Sequence, residues 1–367
     1  MGATELRPER WLGATAPGGL ALPDARPTPA HLYAPRGVFI DDERIVVADS
    51  GNHRILIWTA LPERDHAPAA IVLGQPDFTR EGPGLLHLPT GVLVHDGKLL
   101  VADSWHHRVL VWNRVPSASG VPPDYAIGQR DLAGVEVNAG GAAAADTLYW
   151  PYGIGIAGDR FFVADTGNRR VLMWDGIPAA NEPACAVLGQ PSFAQTGENR
   201  GVGVGERSFR WAHDIAGDAT RLFVADAGNH RVLGWDAPVA GDAPAALALG
   251  QRDFVSAHEF GFGPQSATAL RFPYSVAYDG GRLAVADTAN NRVLLYDEPA
   301  HAGAGLPADA VVGQTDFLSN GENHWKAVTS STLCWPYGVH LHGDHLAIAD
   351  SGNNRVMIWS LSRPGNR

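Results

Sequence analysis

A twelve-residue segment that recurs six times restricts the fold of this chain more than any other feature of its sequence. Every copy reads Val/Ile-Ala-Asp-x-x-Asn/His-x-Arg-Val/Ile-Leu/Met and ends in an aromatic residue. The copies occupy residues 47–58, 101–112, 163–174, 224–235, 285–296 and 348–359. Their aspartates lie 54 to 63 residues apart, which leaves room for four short strands in each unit. Four strands repeated six times predict a six-bladed β-propeller.

Two shorter motifs recur in step with this segment. A Pro-x-Gly-like step precedes every copy, at residues 35–37, 89–91, 151–153, 212–214, 273–275 and 336–338. A Gly-Gln motif lies between copies, at residues 74–75, 128–129, 189–190, 250–251 and 313–314. The sequence thus predicts an all-β fold, a single propeller over residues 1–367. Its four-stranded blades are expected to start near residues 35, 89, 151, 212, 273 and 336.

The Gly-Gln motif has five copies against six of the longer segment, and the N-terminus resembles the missing one. Residues 11–17 read like the other copies, with Ala14 in place of glutamine. Gly13 precedes Asp49 by 36 residues, against 37 in four of the other five intervals. We therefore expect a closing strand at about 10–17. It would pair with the blade at 336–360 and leave the ring without a free edge.

Charge and composition exclude several classes of protein. The formal net charge of -11 argues against a nucleic-acid partner, because phosphate recognition needs clustered positive charge. No run approaches the ~18 apolar residues of a membrane span, and the N-terminus lacks the apolar region of a signal peptide. Cys185 and Cys334 stand in no metal-ligand or disulfide pattern. We expect a soluble, cytoplasmic protein with no membrane partner.

The six segments resemble the NHL repeat, over about 350 residues. This resemblance implies a six-bladed propeller but leaves the function open, because proteins with similar repeats include peptidylglycine amidating lyases, protein- and RNA-binding modules, and extracellular sensors. In the amidating lyases, histidines from several blades hold zinc. Here the corresponding positions offer His213 and His340 without a third histidine, so we predict no metal site. The cofactor stays unassigned.

The repeated Asp, Asn and Arg residues are expected to be structural. A reaction centre would not need six copies of these residues. Each tight turn, in contrast, needs hydrogen-bond partners for its backbone groups and an anchored Asp–Arg pair. The aromatic residue that ends each segment is expected to pack blade on blade.

Function is expected where the repeats differ. The residue inside the Pro-x-Gly step would ring the mouth of the central channel, and the set reads Arg36, Thr90, Tyr152, His213, Tyr274 and Tyr337. We predict that Arg36, Tyr152, Tyr274 and Tyr337 bind a ligand.

Blade 4 departs most from the repeat, because its step contains His213 and Asp214. We predict that these two residues are catalytic, as a general acid or base. A histidine hydrogen-bonded to a neighbouring loop is the alternative for His213.

Four further residues are predicted to bind the ligand. Trp105 and His106 replace the Gly-Asn of the turn in blade 2, beside a short inter-blade loop. Arg210 belongs to a group of arginines near His213, which favours a carboxylate or phosphate on the ligand. Pairing of these arginines with Glu198 and Glu206 is the alternative. Trp325 is a candidate for a lid.

Two functions follow from these observations. The first is binding of a small or peptide-like anionic ligand at the channel mouth, with lyase or hydrolase chemistry as an extension. The second is a non-catalytic platform whose loops recognise a protein partner.

Overall fold

The structure, a computed structural model, describes residues 5–13, 26–259 and 265–362. Six β-sheets succeed one another along the chain, and the first strands of neighbouring sheets contact each other in a closed circle. An apolar cluster fills the space between each pair of neighbouring blades. The predicted six-bladed propeller of four-stranded blades is confirmed.

The four strands of each blade are antiparallel, and in blades 1 to 5 they run from the central channel outward in chain order. The N-terminal strand is β1 (Glu5–Gly13). Blade 1 holds β2 (Gly37–Ile40), β3 (Ile45–Asp49), β4 (Arg54–Trp58) and β5 (Ile71–Leu73). Blade 2 holds β6 (Pro89–His95), β7 (Lys98–Asp103), β8 (Arg108–Trp112) and β9 (Tyr125–Ile127). Blade 3 holds β10 (Pro151–Ala157), β11 (Arg160–Asp165), β12 (Arg170–Trp174) and β13 (Ala186–Leu188).

The second half of the ring repeats this order with one addition. Blade 4 holds β14 (Ala212–Gly217), β15 (Arg221–Asp226), β16 (Arg231–Asp236) and β17 (Leu247–Leu249). Blade 5 holds β18 (Pro273–Asp279), β19 (Arg282–Asp287), β20 (Arg292–Asp297) and β22 (Ala310–Val312). The two-residue strand β21 (Gly303–Ala304) joins the outer edge of blade 4, parallel to β17. Blade 6 holds β23 (Pro336–His342), β24 (His345–Asp350) and β25 (Arg355–Ser362), with β1 outermost.

Short 3-10 helices form the turns between the second and third strands. They span Ser50–Asn52, Ser104–His106, Thr166–Asn168, Ala227–Asn229, Thr288–Asn290 and Ser351–Asn353. The residue after each turn has a left-handed φ of 53–56°, which explains why histidine, arginine and asparagine alternate there. Turns of a different kind lie in the described loops between blades, at Val137–Gly140, Glu198–Gly201 and Glu322–Trp325, and each contains two consecutive residues with a left-handed φ of 48–61°.

The repeated aspartate organises each of these turns. In blade 5, Asp287 Oδ2 accepts hydrogen bonds from Asn290 Nδ2 (2.8 Å) and Arg292 Nε (2.7 Å). Its Oδ1 accepts the backbone N–H of Arg271 (2.6 Å). The Arg292 guanidinium is fully buried and also donates to three loop carbonyls, those of Ser266, Ala269 and Phe317. The repeated polar residues are thus structural, as the sequence predicted.

Ring closure depends on β1. It pairs antiparallel with β25, from Gly13 opposite Arg355 to Glu5 opposite Ser362. The fold class predicted from the sequence included this closure by the N-terminal segment, and it is confirmed. The strand begins at Glu5 rather than near residue 10, because β25 extends to Ser362 and offers it a partner. Residues 14–17 of the expected strand lie outside the described residues.

Deleting residues 1–20 is expected to lower the melting temperature markedly. The deletion removes β1, and the loss of buried Trp11 and Leu12 alone costs about 2–5 kcal/mol for each side chain. Thermal unfolding followed by circular dichroism measures the effect, with a chain lacking only residues 1–4 as the control. Equal melting temperatures for the two chains would contradict closure through β1.

Candidate functional site

The residue inside each Pro-x-Gly step is displaced from the regular sheet. The pairing of first and second strands skips this step in five blades, for example between Ala212 and Asp214 in blade 4. Such a β-bulge re-aims the side chain it carries. The bulged residues of neighbouring blades meet at one end of the channel. We call Arg36, Thr90, Tyr152, His213, Tyr274 and Tyr337 the collar.

The collar packs across the channel instead of lining an open ring. The ring centroids of His213 and Tyr274 are 4.5 Å apart and stacked, and those of His213 and Tyr152 are 4.3 Å apart at 70°. Tyr337 lies 4.9 Å from Tyr274 and carries the Arg36 guanidinium 5.0 Å above its ring. The ring centroids of Tyr152 and Tyr274, whose blades flank that of His213, are 6.4 Å apart. Five of the six positions therefore form one aromatic and cationic layer.

Burial in this layer changes the chemistry of His213. The side chain is 3% exposed, and desolvation, together with the charge of Arg36, lowers its pKa to about 3. Its Nδ1 has no hydrogen-bond partner among the described residues. The imidazole is therefore neutral near pH 7, and its conjugate acid is too strong to persist there. As a general base His213 is weak.

Arg36 is a half-buried cation. Within residues 5–13, 26–259 and 265–362 no carboxylate forms an ion pair with it. Its guanidinium lies beside the buried hydroxyl of Tyr152. The Tyr152 hydroxyl raises the pKa of Arg36, and desolvation raises the pKa of Tyr274 to about 12. The collar thus carries one positive charge and neutral phenols.

A cavity of about 190 Å³ adjoins the collar inside the channel. Arg36, Tyr152, Tyr274 and Tyr337 line one part of it, and Asp214, Ser275 and His340 line another. The remaining lining is glycine and aliphatic residues of the first strands, with Thr90 and Tyr278. The cavity thus combines polar and apolar groups, as ligand sites do.

Asp214 and Ser275 replace glycines at the third position of the Pro-x-Gly step. At Gly153 a Cβ would lie 2.3 Å from the Asp214 carboxylate, and at Gly37 it would lie 1.8 Å from the Thr90 carbonyl oxygen. The first strands approach so closely that most blades need glycine here. Asp214 instead bridges blades 4 and 5. Its Oδ2 accepts the Ser275 hydroxyl and the Val276 N–H (3.2 Å).

This bridge continues to blade 6, because Ser275 Oγ accepts the N–H of Val339 (3.0 Å). Asp214 Oδ1 accepts the N–H of Ile215 (2.9 Å). Desolvation nevertheless outweighs these hydrogen bonds and raises the pKa of Asp214 to about 7. Of the predicted pair, His213 sits in the collar and Asp214 lines the cavity.

Trp105 and His106 lie on the loop-bearing face above the collar. Trp105 is 48% exposed, and its ring is 5.7 Å from that of His87. His106 Nδ1 contacts Asp103 Oδ2 at 3.0 Å, so it takes the structural place that asparagine has in the other blades. His87 also lies 5.3 Å from His106 and 5.1 Å from His53, which makes a group of three imidazoles beside Trp105.

The arginines near His213 are paired. Arg210 Nε lies 3.3 Å from Glu198 Oε1, and its guanidinium stacks 5.3 Å from the Trp211 ring. Arg200 and Arg207 both contact Asp242 rather than Glu206. Trp325 is 77% exposed and lies over Gly321, away from the collar layer. Arg210 and Trp325 therefore do not line the channel cavity.

No group of three or more His, Cys, Asp or Glu side chains suited to a metal occurs in the part of the chain that the structure describes. Among those same residues, no helix has the length and apolarity needed to cross a bilayer.

A family model of the NHL repeat matches residues 32–58, which hold the first copy of the repeated segment and the Pro-x-Gly step before it. Equivalent copies stand at the same place in all six blades. The chain carries an NHL repeat within a six-bladed β-propeller, and we call it the NHL propeller.

The NHL propeller is similar to NHL repeat-containing protein 2 of Homo sapiens, with 23% identity over 370 residues. The match covers 91% of this chain and 47% of the human protein, so the chain spans about half the length of the curated relatives it matches. A Bacteroides thetaiotaomicron protein of unknown function has a TM-score of 0.56 at 10% identity and covers 97% of this chain and 76% of its own. The WD40 β-propeller domain of Doa1 has a TM-score of 0.51 at 11% identity, over 96% and 98% of the two chains. At such identities these structures share the fold alone.

Two residues that line the cavity of this NHL propeller, Ser275 and His340, were not predicted from the sequence to do so. Ser275 breaks the Pro-x-Gly step of blade 5 as Asp214 does in blade 4, so a comparison of the six steps could have flagged both together. His340 was considered only as a zinc ligand. It lines the cavity, packs 4.5 Å from Phe39, and has a pKa lowered by burial to about 4.

Proposed function

We propose that the NHL propeller binds a small organic anion, or an anionic group carried by a peptide, in the channel cavity beside Arg36. The observation that carries this proposal is a half-buried guanidinium, that of Arg36, which lacks a carboxylate partner among the described residues and lies beside the buried hydroxyl of Tyr152. A buried charge normally requires a partner. A ligand carboxylate would supply it and accept from both groups.

The size of the cavity restricts the ligand. A volume of about 190 Å³ is below the roughly 300–1,000 Å³ of sites for drug-sized molecules. It suits a metabolite-sized acid or a single peptide side chain or terminus. Guanidinium groups bind carboxylates through two parallel hydrogen bonds, which favours a carboxylate as the anion.

Asp214 makes anion binding depend on pH. Its carboxyl lines the same cavity and has a pKa near 7. Above pH 7 the negative charge of Asp214 repels an anionic ligand. Below pH 7 the carboxyl is neutral, and this repulsion is absent. Of the two residues predicted to be catalytic, Asp214 is the one suited to exchange a proton with a bound ligand near neutral pH. Lyase or hydrolase chemistry in this channel would therefore centre on Asp214 rather than His213.

Replacing Arg36 by methionine is expected to weaken carboxylate binding by about tenfold or more, because the variant keeps the apolar stem and loses the charge. Isothermal titration of the full chain with acetate, succinate and short peptides, each peptide with a free or an amidated C-terminus, measures the effect. Peptides with an amidated C-terminus should bind the wild type more weakly than the same peptides with a free C-terminus.

The matched control is Arg210→Met, which removes an arginine on the same face that is already paired with Glu198. It should bind the same probes as the wild type does. Carboxylate binding that is absent from the wild type, or unchanged in Arg36→Met, would overturn the proposal.

A second candidate function is a platform for a protein partner, and one observation favours it. Five aromatic side chains on loops and turns are between 38% and 77% exposed: Tyr33, Trp105, Tyr149, Trp325 and Trp335. Tryptophan and tyrosine are enriched in the residues that dominate protein interfaces. A platform predicts that Trp105→Ala with Trp325→Ala abolishes partner binding while carboxylate binding, if present, stays unchanged.

A further inference from the structure

The channel cavity contains a positive and a negative group that belong to opposite sides of the ring. Arg36 directly precedes β2 of blade 1, and Asp214 lies in β14 of blade 4. The first strand of blade 1 contacts those of blades 2 and 6, and the first strand of blade 4 contacts those of blades 3 and 5. In a closed ring of six, blades 1 and 4 are therefore opposite. Since both residues line the cavity, a ligand inside it meets both groups.

These two groups form no ion pair with each other. Both residues lie in the described part of the chain, and no salt bridge joins them. The Arg36 guanidinium lies 5.0 Å above the Tyr337 ring and beside the Tyr152 hydroxyl instead. The pKa of Asp214 is shifted by desolvation and by hydrogen bonds, and not by Arg36. The cavity thus holds two opposite charges that do not neutralise each other.

The Asp214 carboxylate is held in place but keeps acceptor capacity. Its Oδ2 accepts two hydrogen bonds, from the Ser275 hydroxyl and the Val276 N–H. Its Oδ1 accepts one, from the Ile215 N–H. A carboxylate can accept about four hydrogen bonds, and no other described residue donates to this one. Because Asp214 is partly exposed and lines the cavity, its carboxylate has room for a further donor from a ligand.

A cationic donor suits this position best. The titratable and charged side chains that share the cavity with Asp214 are Arg36, Tyr152, Tyr274, Tyr278, Tyr337 and His340. Burial lowers the pKa of His340 to about 4 and that of the adjacent His213 to about 3, so both imidazoles are neutral near pH 7. No described residue therefore gives the Asp214 carboxylate a counter-ion. A desolvated charge normally requires a partner, and a ligand ammonium group would supply it.

We propose that the channel cavity binds an ω-amino acid, a small zwitterion whose carboxylate pairs with Arg36 and whose ammonium group pairs with Asp214. This inference rests on the proposed function, because it requires the carboxylate site beside Arg36. It adds the class of ligand and makes Asp214 the residue that selects this class. An ammonium group at the far end of a short chain reaches a second group across the cavity, whereas one next to the carboxylate stays beside Arg36.

The zwitterion is also distinguished from a simple acid by its pH dependence. The pKa of Asp214 is about 7, so this carboxyl ionises between pH 6 and pH 8. Over the same range Arg36 stays charged, and burial keeps the hydroxyls of Tyr152 and Tyr274 protonated because it raises their pKa values. The ligand groups, with ordinary pKa values of ~4 for the carboxyl and ~10 for the amine, also keep their charges. Ionised Asp214 therefore attracts the ammonium group of the zwitterion and repels a simple carboxylate.

Isothermal titration of the full chain with 4-aminobutyrate and valerate tests this inference, because valerate has a methyl group in place of the ammonium. At pH 8 the wild type should bind 4-aminobutyrate about tenfold or more tighter than valerate. From pH 6 to pH 8 the affinity for 4-aminobutyrate should rise and that for valerate should fall. Asp214→Asn should abolish the preference and flatten both pH profiles. The matched control is Asp96→Asn on a turn, where the side chain is 83% exposed, and it should behave as the wild type does.

The outcomes separate this inference from the proposed function. If valerate binds, and Arg36→Met weakens it, but 4-aminobutyrate binds no tighter or follows the same pH trend, the zwitterion is refuted and the carboxylate site stands. An unchanged preference in Asp214→Asn also refutes it. If neither compound binds the wild type, both proposals fail. Because the comparison of the two compounds needs only the wild type, the inference stays testable even if Asp214→Asn is unstable.

Discussion

Replacing Arg292 by methionine is expected to lower the free energy of unfolding by about 3–5 kcal/mol, the usual cost of removing one partner of a buried ion pair. The variant leaves the buried Asp287 carboxylate with only the Asn290 amide and the Arg271 N–H as donors among the described residues, and it leaves three loop carbonyls without their donor. Chemical denaturation followed by fluorescence of the tryptophans measures the change.

The matched control for this variant is Arg252→Met. Arg252 is 81% exposed and contacts only the neighbouring Asp253, so its loss should change stability by less than about 1 kcal/mol. If the two variants were equally stable, the Asp–Asn–Arg network would not be what holds the turns of each blade.

Acidification from pH 7 towards pH 4 is expected to unfold the propeller. Burial lowers the pKa of His213 to about 3 and the pKa values of His230 and His340 to about 4. The unfolded chain therefore binds protons, near pH 6.5, that the folded state rejects until about pH 3–4, and stability is lost as the pH falls through this window. Each histidine contributes about 3–5 kcal/mol to this loss.

Asp214 acts in the opposite sense. Its pKa is raised in the folded state, so the stability it contributes is lost as the pH rises towards 7 and returns on acidification, by about 4 kcal/mol. Burial also raises the pKa values of four turn aspartates, Asp49, Asp165, Asp287 and Asp350, each of which is paired with a buried arginine. The loss from the three histidines together exceeds the gain from Asp214. Denaturation at a series of pH values measures the balance, and His340→Gln and His213→Gln should each make the acid limb shallower. The control is the exposed His301→Gln, which should follow the wild-type curve, and identical curves for all four proteins would refute the histidine mechanism.

Local repetition explains why the fold was predictable from the sequence. In blade 1, for example, the aspartate accepts hydrogen bonds from an asparagine three residues later and an arginine five residues later. A short sequence pattern therefore contains the side chains that hold the turn. The count of Gly-Gln motifs likewise predicted that the N-terminal segment completes blade 6. The sequence placed the closing strand at about 10–17, whereas β1 begins at Glu5, because the length of β25 cannot be read from the repeat.

The site was less predictable, because it depends on contacts between blades. The six collar residues were identified from their shared position, but their packing across the channel depends on side chains about 60 or more residues apart in the sequence. The hydrogen bond from Ser275 to Asp214 also joins residues of different blades that are far apart in the sequence. For Arg210 the sequence left a ligand and Glu198 as alternatives, and only the geometry places its guanidinium against Glu198.

The bulge at each Pro-x-Gly step separates what the channel binds from what keeps the ring intact. A bulged residue lies outside the pairing of first and second strands, so its replacement changes no ladder hydrogen bond. Natural variation at positions such as 152, 213 or 274 can therefore alter ligand preference one residue at a time without breaking the strand pairing of the blade. Propellers of this layout can diverge in specificity while the hydrogen bonds between their first and second strands are kept.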